Sequence, residues 1–362
     1  METFAKRFRT ENAGRAFFVG ANTSRGFVSD HRRLLSEDEF KKVYIIKGGS
    51  GTGKSTLIRK AASAAESAGA RCTRLLCGSD PDSLDGAVIE KDGVRIGIMD
   101  GTAPHTVDPV YAGACGEIVN CGDYWDSAYL EGRRDEISRA VRHKKYCFET
   151  AYRFLRAAGE IYEMQQELAR EILLFDKMEA CAHRLAAQLP ALSEEGSCTE
   201  RRTLGITMCG AVRLGTFDAA SKLVTVEDCA GLAPIFMDTL LREITDRGYG
   251  VIASEAPTGG TAELFVPSAS LAVTVMETDR EACKNINMHR FAHSVRLSDT
   301  RQRRRFTKKC FGTMLDAALE NLEAAGREHF ALEEIYKSSM DFASLDSMSE
   351  RLSRKIVSYF DK

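Results

Sequence analysis

A glycine-rich segment at residues 48–56 constrains the fold of this chain more than any other part of its sequence. It follows an apolar run at residues 43–46 and precedes a stretch of helix-forming composition. Its members are Gly48, Gly49, Ser50, Gly51, Thr52, Gly53, Lys54, Ser55 and Thr56. Glycines allow the backbone to curl until successive N–H groups point inward, and the N-terminus of the following helix adds a positive dipole. The spacing Gly-x4-Gly-Lys-Ser between a strand and a helix therefore predicts a loop that binds phosphate groups.

The side chains of this segment have distinct expected roles. Lys54 would place a positive charge near the β- and γ-phosphates of a nucleotide. The Ser55 hydroxyl would be a ligand of Mg²⁺, and Thr56 would add a hydroxyl contact to phosphate. We therefore expect the segment to bind a nucleoside triphosphate together with Mg²⁺. The sequence contains no Asn-Lys-x-Asp motif for guanine, which favours ATP.

Asp100 is the expected second contributor to a metal site. It ends a run at residues 94–100 that changes from alternating to apolar, as is typical of a buried parallel strand. We predict that Asp100 binds Mg²⁺ directly or through a water, the alternative being a turn with Gly101. Many P-loop ATPases have a glutamate after this aspartate that activates water, whereas this chain has Gly101. We therefore expect slow hydrolysis, or another group that positions the nucleophile.

Two nearby loops offer such a group. The segment at residues 77–86 carries three carboxylates, which are Asp80, Asp82 and Asp85. The segment at residues 101–105 ends in His105, which could act as a base or donate a hydrogen bond to the γ-phosphate. An ordinary role in a cap or turn is the alternative for each residue. The candidate catalytic residues are Lys54, Asp85, Asp100 and His105.

A second copy of the strand–loop–helix pattern begins about 180 residues later. An apolar run at residues 223–226 is followed there by residues 228–235, which lack the glycine-rich pattern. An ungapped match of the two loops places Pro234 at the position of Lys54 and Ile235 at that of Ser55, and the order of the strands places Glu277 at that of Asp100. We therefore predict one working nucleotide site and one degenerate copy in the same chain.

Each copy continues into a long segment with apolar residues at helical spacing, at residues 133–189 and 300–360. Each segment is too long for one typical helix, so we expect helices that pack on their own domain and on each other. A partner-binding coiled coil is the alternative. The polar segment at residues 191–200 separates the copies. The sequence thus predicts an α/β fold with tandem P-loop NTPase-like domains, at residues 1–195 and 196–362, each with mostly parallel strands, flanking helices and a long helical extension.

Composition limits the class of protein. A chain of 362 residues with 44% hydrophobic and 28% charged residues is typical of a globular protein of two domains. No apolar run approaches the ~18 residues that cross a membrane, and a net charge of −2 gives no overall attraction to nucleic acid. The eleven cysteines form no Cys-x-x-Cys pair, and the first residues lack the apolar core of a secretory signal. We therefore expect a cytoplasmic protein without a zinc site, a membrane contact or a nucleic-acid partner.

Two basic features lie outside the motifs. The run at residues 301–309 is expected to be a solvated helix face, with a nucleic-acid patch or an edge that reaches the nucleotide as alternatives. Arg25 lies in a segment rich in turn formers and is expected on a surface loop. The alternative for Arg25 is an arginine that contacts phosphate.

These motifs together resemble a little-characterised bacterial family of duplicated P-loop ATPases, found mainly in Bacillus- and Clostridium-type bacteria. The resemblance rests on Gly-x-Asn-Thr-Ser-x-Gly-Phe at residues 20–27, on residues 47–55, and on the segments at residues 79–86 and 100–105. It covers nearly the whole chain, but it is specific in residues 16–110 and loose after residue 200. Members often keep a second intact loop, from which this chain departs. The resemblance implies ATP binding, whereas the substrate and pathway of the family are not established.

Three functions fit these observations. The first is an ATPase that couples hydrolysis to a conformational change between the halves. The second is a small-molecule kinase in which Asp82, Asp85 or His105 is the base for an acceptor hydroxyl. The third is a nucleotide-dependent switch that orders the helices for a protein partner. The expected partners are a nucleoside triphosphate and either an unknown small-molecule acceptor or a protein, and the oligomeric state is left open.

Overall fold

The computed structural model of the protein describes residues 8–10, 15–103, 106–278 and 280–361. These residues form an α/β structure with two six-stranded mixed sheets, in which most strands are parallel, and with long helices. Among the described residues, no helix has both the length and the apolar surface that crossing a bilayer requires.

The first sheet belongs to the N-terminal half. The described strands of this half are β1 Phe8–Thr10, β2 Ala16–Phe18, β3 Gly20–Thr23, β4 Gly26–Ser29, β5 Lys42–Lys47, β6 Arg71–Leu76, β7 Leu84–Lys91, β8 Val94–Asp100 and β9 Gly116–Asn120. Its described helices are α1 His31–Leu34, α2 Lys54–Ser67, α3 Ser127–Gly132, α4 Arg134–Ile172 and α5 Phe175–Ala186. The sheet has the order β2-β6-β7-β8-β5-β9, and β7 runs antiparallel to both of its neighbours.

The second sheet has the same order and directions of strands. The described strands of the C-terminal half are β10 Ser197–Glu200, β11 Leu204–Thr207, β12 Gly210–Arg213, β13 Lys222–Glu227, β14 Gly250–Glu255, β15 Thr261–Val266, β16 Leu271–Thr274 and β17 Lys284–Asn287. Its described helices are α6 Leu232–Thr245, α7 Ser294–Asp299, α8 Arg301–Ser339 and α9 Phe342–Val357. The sheet order is β10-β14-β15-β16-β13-β17, with β15 antiparallel. β10 begins just after the proposed boundary between residues 195 and 196, which stays a prediction.

The two longest helices carry the chain across the molecule. α4 and α8 each have 39 residues and pack against each other. At 1.5 Å per residue, each helix is about 58 Å long. Each therefore reaches from the half in which it begins to the other half, where a shorter helix follows.

That shorter helix packs on the other half. Leu345, Leu352 and Ile356 of α9 are buried in the core of the first sheet, where they join Leu57 and Ile58 of α2. In the same way, α5 of the N-terminal half packs on α6 and is buried in the core of the second sheet. The expectation that the helical extensions pack on each other is confirmed for α4 and α8. The expectation that they pack on their own domain is wrong for the final helices, which are exchanged between the halves.

Matching backbone hydrogen bonds fix this exchange. The Asp341 N–H, before α9, donates to the Tyr124 carbonyl in the N-terminal half at 2.8 Å. The Leu174 N–H, before α5, donates to the Phe291 carbonyl in the C-terminal half, also at 2.8 Å. The chain is extended at Leu173 and Met340, which end the long helices. Apolar periodicity reports that a helix face is buried but not which half buries it, so the sequence did not reveal the exchange.

Replacement of Ile356 by alanine tests the exchange. The residue is fully buried in the first core, so Ile356→Ala should lower the free energy of unfolding by about 2–5 kcal/mol. Hydrogen exchange should accelerate in α2 of the N-terminal half. The control Arg354→Ala removes an exposed side chain of the same helix and should change stability by about 0.5 kcal/mol or less. Faster exchange in α6 instead of α2 would contradict the exchanged arrangement.

Candidate functional site

The segment between β5 and α2, residues 48–53, is here called the glycine loop. Two of its residues have positive backbone φ angles, Gly51 at 72° and Gly53 at 83°, and α2 begins at the next residue, Lys54. Such angles are strained for any residue with a Cβ atom. Glycine at these positions therefore allows the sharp reversal from strand to helix.

Lys54 lies folded across its own loop. Its ammonium donates hydrogen bonds to the carbonyls of Gly48, at 3.0 Å, and Gly49, at 2.6 Å. It also lies 3.5 Å from Asp100 Oδ2, and both side chains are mostly buried, at 12% and 15% exposed. Asp100 reaches this position because β8 pairs in parallel with β5 and places Asp100 opposite Ile46. The structure thus brings together Lys54 and Asp100, which the sequence analysis had proposed for one site.

Asp100 also organises the segment that follows it. Its Oδ1 accepts a hydrogen bond from the Thr102 N–H at 2.8 Å, which is the turn role considered as the alternative. The Thr102 hydroxyl in turn accepts from the Gly48 N–H at 3.2 Å. Oδ1 is therefore engaged in the turn, whereas Oδ2 faces Lys54. His105, the other candidate in this segment, lies outside the described residues.

The hydroxyl groups of the loop and of the first turn of α2 differ in environment. The Ser55 hydroxyl accepts a hydrogen bond from the Leu84 N–H at 2.8 Å, which ties α2 to the start of β7. Thr52 is buried and donates to the Gly49 carbonyl at 2.9 Å. Thr56 is exposed and Ser50 is partly exposed. Ser55 is thus the hydroxyl that the fold holds next to the β7 backbone.

Asp85 lies in β7 and not in a loop, contrary to the sequence analysis. Leu75 pairs with Gly86 and Leu76 with Leu84, so Asp85 is the extra residue of a β-bulge. Bulges re-aim a side chain, and they are common next to functional sites. Asp85 is only 5% exposed. The bulge therefore buries a carboxylate at the end of the sheet where β8 ends in Asp100.

Burial and a like charge change the protonation of Asp85. Its burial, followed by the negative charge of Asp100, raises the pKa of Asp85 to about 7. A hydrogen bond with the Cys77 thiol and the charge of Lys54 oppose this rise. Asp85 is therefore about half protonated near neutral pH, so it can accept or release a proton there.

The other two carboxylates of the acidic segment form a turn. Asp80 Oδ1 accepts a hydrogen bond from the Asp82 N–H at 3.2 Å, and the Asp82 carbonyl accepts from Arg59 at 3.0 Å. Burial raises the pKa of Asp80, whereas the Asp82 side chain is exposed. Of the three carboxylates, Asp85 is thus the one aimed at Asp100 and Lys54.

The C-terminal half covers the glycine loop, and the sequence does not predict this contact. A Cβ atom added to Gly51 would lie 2.5 Å from the Glu333 carbonyl oxygen of α8. One added to Gly49 would lie 2.8 Å from the Tyr336 ring. Leu345 of α9 approaches Gly53 in the same way, at 2.9 Å. The loop glycines are therefore required by the helices packed on them, besides any phosphate they contact.

The covering helices add charged groups near Lys54. His329 Nε2 lies 3.5 Å from Glu333 Oε1 on α8. Burial, followed by the charge of Lys144 on α4, lowers the pKa of His329 to about 4. Burial, followed by the charge of Lys54, lowers the pKa of Lys144. Both shifts indicate a partly desolvated site in which cationic side chains lie close together.

The loop of the second half is shorter than the ungapped alignment assumed. β13 ends at Glu227 and α6 begins at Leu232, so four residues, 228–231, replace the six of the glycine loop. These four residues are here called the degenerate loop. Gly231, at φ 87°, precedes the helix as Gly53 does. Leu232 and Ala233 therefore stand at the places of Lys54 and Ser55, and the pairing with Pro234 and Ile235 is wrong by two residues.

The other candidate positions also have apolar counterparts. The bulge in β15 has Ala262 as its extra residue, where β7 has Asp85. The pairing of β13 with β16 places Val275 where Asp100 stands, so the match with Glu277 is also wrong by two residues. The second half thus has none of the polar groups that meet around Lys54.

In the degenerate loop, the Asp228 side chain binds the backbone N–H groups at the start of α6. Asp228 Oδ2 accepts a hydrogen bond from the Gly231 N–H at 3.1 Å, and Oδ1 accepts from the Ala233 N–H at 2.8 Å. These donors lie at the N-terminus of α6, where unpaired N–H groups and the helix dipole attract negative charge. A protein carboxylate therefore occupies the groups that a phosphate would need.

The helix covering the degenerate loop has neutral residues at matching positions. Counted from the start of each long helix, Tyr162 and Gln166 of α4 correspond to His329 and Glu333 of α8. Lys144 corresponds to Phe311. The charged or titratable residues Lys144, His329 and Glu333 thus have uncharged counterparts in the other copy, but this register depends on where the helices begin.

Arg25 lies away from the loop. It is 75% exposed and lies 3.5 Å from Glu255 of the C-terminal half. The expected surface position is therefore found. Among the described residues, no group of three or more His, Cys, Asp or Glu side chains is arranged to hold a metal ion.

Comparison with family models, with curated proteins and with solved structures finds no match for this chain. The basis for a functional proposal is therefore the geometry around Lys54. That geometry combines a curled loop at a helix N-terminus with a lysine, a hydroxyl and two carboxylates, all at the same end of the first sheet.

Alanine at Gly51 tests the packing of α8 on the glycine loop. Gly69 is a matched control, because its φ of 83° is similar but nothing lies within 4 Å of an added Cβ. Gly69→Ala should cost about 1–2 kcal/mol from backbone strain alone. Gly51→Ala should cost more and should displace Glu333 and Tyr336.

Trp125 reports that displacement. It is the only tryptophan of the chain, and its ring centroid lies 6.0 Å from that of Tyr336. Its fluorescence should change in Gly51→Ala and stay unchanged in Gly69→Ala. Equal stability and unchanged emission in both variants would contradict the contact.

The burial of Asp85 predicts a pH-dependent stability. Its pKa of about 7 in the folded chain exceeds its ordinary value of 3.8, so the folded state holds the proton longer and stability falls as pH rises between these values. Asp85→Asn removes this loss. Its gain in unfolding free energy over the parent should grow from about pH 4 to about pH 7 and then level off, at roughly 4 kcal/mol at most.

Denaturant unfolding at several pH values measures this gain. The control Asp82→Asn changes an exposed residue of the same segment and should leave the profile of the parent in place. A gain for Asp85→Asn that is the same at every pH would show that Asp85 does not release a proton in this range.

Proposed function

We propose that this chain binds ATP with Mg²⁺ at residues 48–56 and hydrolyses it slowly. In this proposal both halves are P-loop NTPase-like units, and only the N-terminal one keeps an active site. We also propose that the chain belongs to the bacterial family of duplicated P-loop ATPases that its motifs resemble. The observation that carries the proposal is the meeting of Lys54 and Asp100, 3.5 Å apart, beside the curled loop.

The contacts of Lys54 support its role in binding phosphate. Its ammonium donates to two carbonyls of the loop, Gly48 and Gly49, and phosphate oxygens at the mouth of the loop would be stronger, charged acceptors. The degenerate loop supports the same role by contrast, because Leu232 replaces the lysine and Asp228 occupies the N–H groups.

The donor set fits Mg²⁺. The ion prefers oxygen ligands and uses few protein groups together with phosphate and water. Ser55 supplies a hydroxyl, and Asp100 supplies a carboxylate beside Lys54. The repulsion between Asp85 and Asp100 that raises the pKa of Asp85 is one that a divalent cation would relieve. A bound Mg²⁺ would neutralise phosphate charge, with Ser55 and Asp100 as its protein ligands.

Asp85 is the best-placed proton acceptor among the described residues of the site. Its pKa of about 7 matches the range in which a general base is effective. Asp85 would take the role of the glutamate whose position Gly101 occupies. It would accept a proton either from a water molecule or from the hydroxyl of an acceptor. The second candidate function, a small-molecule kinase, is favoured by this same residue. Turnover of ATP without an acceptor would support the ATPase, and turnover only with an added metabolite would support the kinase.

The switch function has its own supporting observation. Helices α8 and α9 of the C-terminal half touch three glycines of the loop, at Gly49, Gly51 and Gly53. A loop that closes on a nucleotide would have to move these helices. Tight ATP binding without turnover, accompanied by a change in Trp125 fluorescence, would support a switch.

Lys54→Ala tests the nucleotide site. Loss of its charge should weaken Mg·ATP binding by several kcal/mol, which is about a hundredfold or more in affinity. Calorimetry should count one equivalent of Mg·ATP per parent chain and detect no binding to the variant. The control Pro234→Ala changes the first turn of α6 and should bind Mg·ATP as the parent does. No heat with the parent chain, or equal loss in both variants, would refute the proposal.

A further inference from the structure

A cavity lies between the degenerate loop and the beginning of α8. Its volume is about 580 Å³, which is within the range of small-molecule sites. Basic residues dominate one wall and the degenerate loop forms part of the other. The charged residues that line it are Asp228, Arg301, Arg304, Arg305 and Lys308.

The four cations share one helix face. Their spacing of three, four and seven residues from Arg301 places them side by side on α8. Like charges at such spacing destabilise a helix, by roughly 0.2–0.5 kcal/mol for each pair. They also lie in the first turns, where the helix dipole is positive, and no acidic residue is present in the first turn of α8. An anion bound on this face would relieve the repulsion between the cations.

Within the described part of the chain, no carboxylate lies at ion-pair distance from Arg301, Arg304 or Arg305, although Asp228 lines the same cavity. Arg304 is instead held by neutral acceptors, the Leu297 carbonyl at 2.6 Å and the Thr300 hydroxyl at 3.1 Å. Burial also lowers the pKa of Arg304. By contrast, Arg303 projects elsewhere and pairs with Glu171 at 2.6 Å.

The equivalent face of α4 has one cation instead of four. At the positions matching the four cations, α4 has Arg134, Ile137, Ser138 and Val141. Its first turn also contains Asp135 and Glu136, which suit the helix dipole. The basic face is therefore not a property of the repeated fold, and it occurs beside the loop that has no lysine.

We propose that this cavity binds a phosphorylated small molecule of about nucleotide size. Its phosphates would lie on Arg301, Arg304, Arg305 and Lys308, because guanidinium groups match phosphate geometry with paired N–H donors. Leu297 and Phe311 give the cavity an apolar part for the rest of the ligand. The site differs from the glycine loop in its chemistry, since Asp228 already occupies the N–H groups of the degenerate loop. The proposal does not depend on ATP binding at Lys54.

Calorimetry with inorganic tripolyphosphate tests this site in the full chain carrying Lys54→Ala. That background removes the lysine of the other loop, so the outcome is independent of whether the ATP proposal holds. One equivalent of tripolyphosphate should bind. Adding Arg301→Gln and Arg305→Gln should weaken binding at least about tenfold. Adding Arg303→Gln instead should leave the affinity unchanged, because that side chain points away and is already paired.

The same variants guard against loss of folding. Arg301 and Arg305 are exposed, so their replacement should leave the thermal stability unchanged or raise it slightly as the repulsion between cations falls. Absence of tripolyphosphate binding, or binding that all three arginine substitutions leave intact, would overturn the proposal. Tighter binding of a short single-stranded oligonucleotide through Arg301 and Arg305 would also overturn it, because the face would then be a nucleic-acid surface.

Discussion

The close contact between α8 and the glycine loop links the two halves of the molecule, and the rest of the structure depends on it. The Glu333 backbone lies so near to Gly51 that no side chain fits between them. This approach is possible because the long helices cross to the other half and α9 completes the core of the first sheet. Neither half therefore forms a complete hydrophobic core or a complete site from its own segment. A change in the conformation of the glycine loop therefore requires a change in the packing of α8, and the reverse also holds.

The two copies of the fold differ in the side chains around their loops, which are charged in the first copy and mostly apolar in the second. Around the glycine loop, Lys54, Asp85 and Asp100 meet charged groups of the covering helices. Around the degenerate loop, apolar residues replace these three, and Asp228 satisfies the helix N-terminus internally. Buried charges are costly without partners, so apolar residues at these positions and the Asp228 carboxylate on the helix N-terminus stabilise the degenerate loop without a ligand.

Local patterns in the sequence were sufficient for the elements that hold the site. The strand expected at residues 94–100 coincides with β8, and the apolar run at residues 223–226 lies within β13, because alternation and apolar runs reflect local burial. The bulge at Asp85 and the two-residue shortening of the degenerate loop were not predictable in this way. Both depend on pairing with a distant strand or on the point where a helix begins. The shorter loop accounts for the error of two residues in the match with Pro234.

Glycine in such a loop is therefore an ambiguous signal for function. Gly231 is retained in the degenerate loop at φ 87°, and an added Cβ there would lie 3.2 Å from Gln166 Nε2 of the covering helix. Backbone conformation and helix packing account for that glycine without any phosphate. The same two constraints act on Gly51 and Gly53. What separates the two loops is the lysine, the hydroxyl and the carboxylates around them, since neither backbone conformation nor helix packing requires these groups.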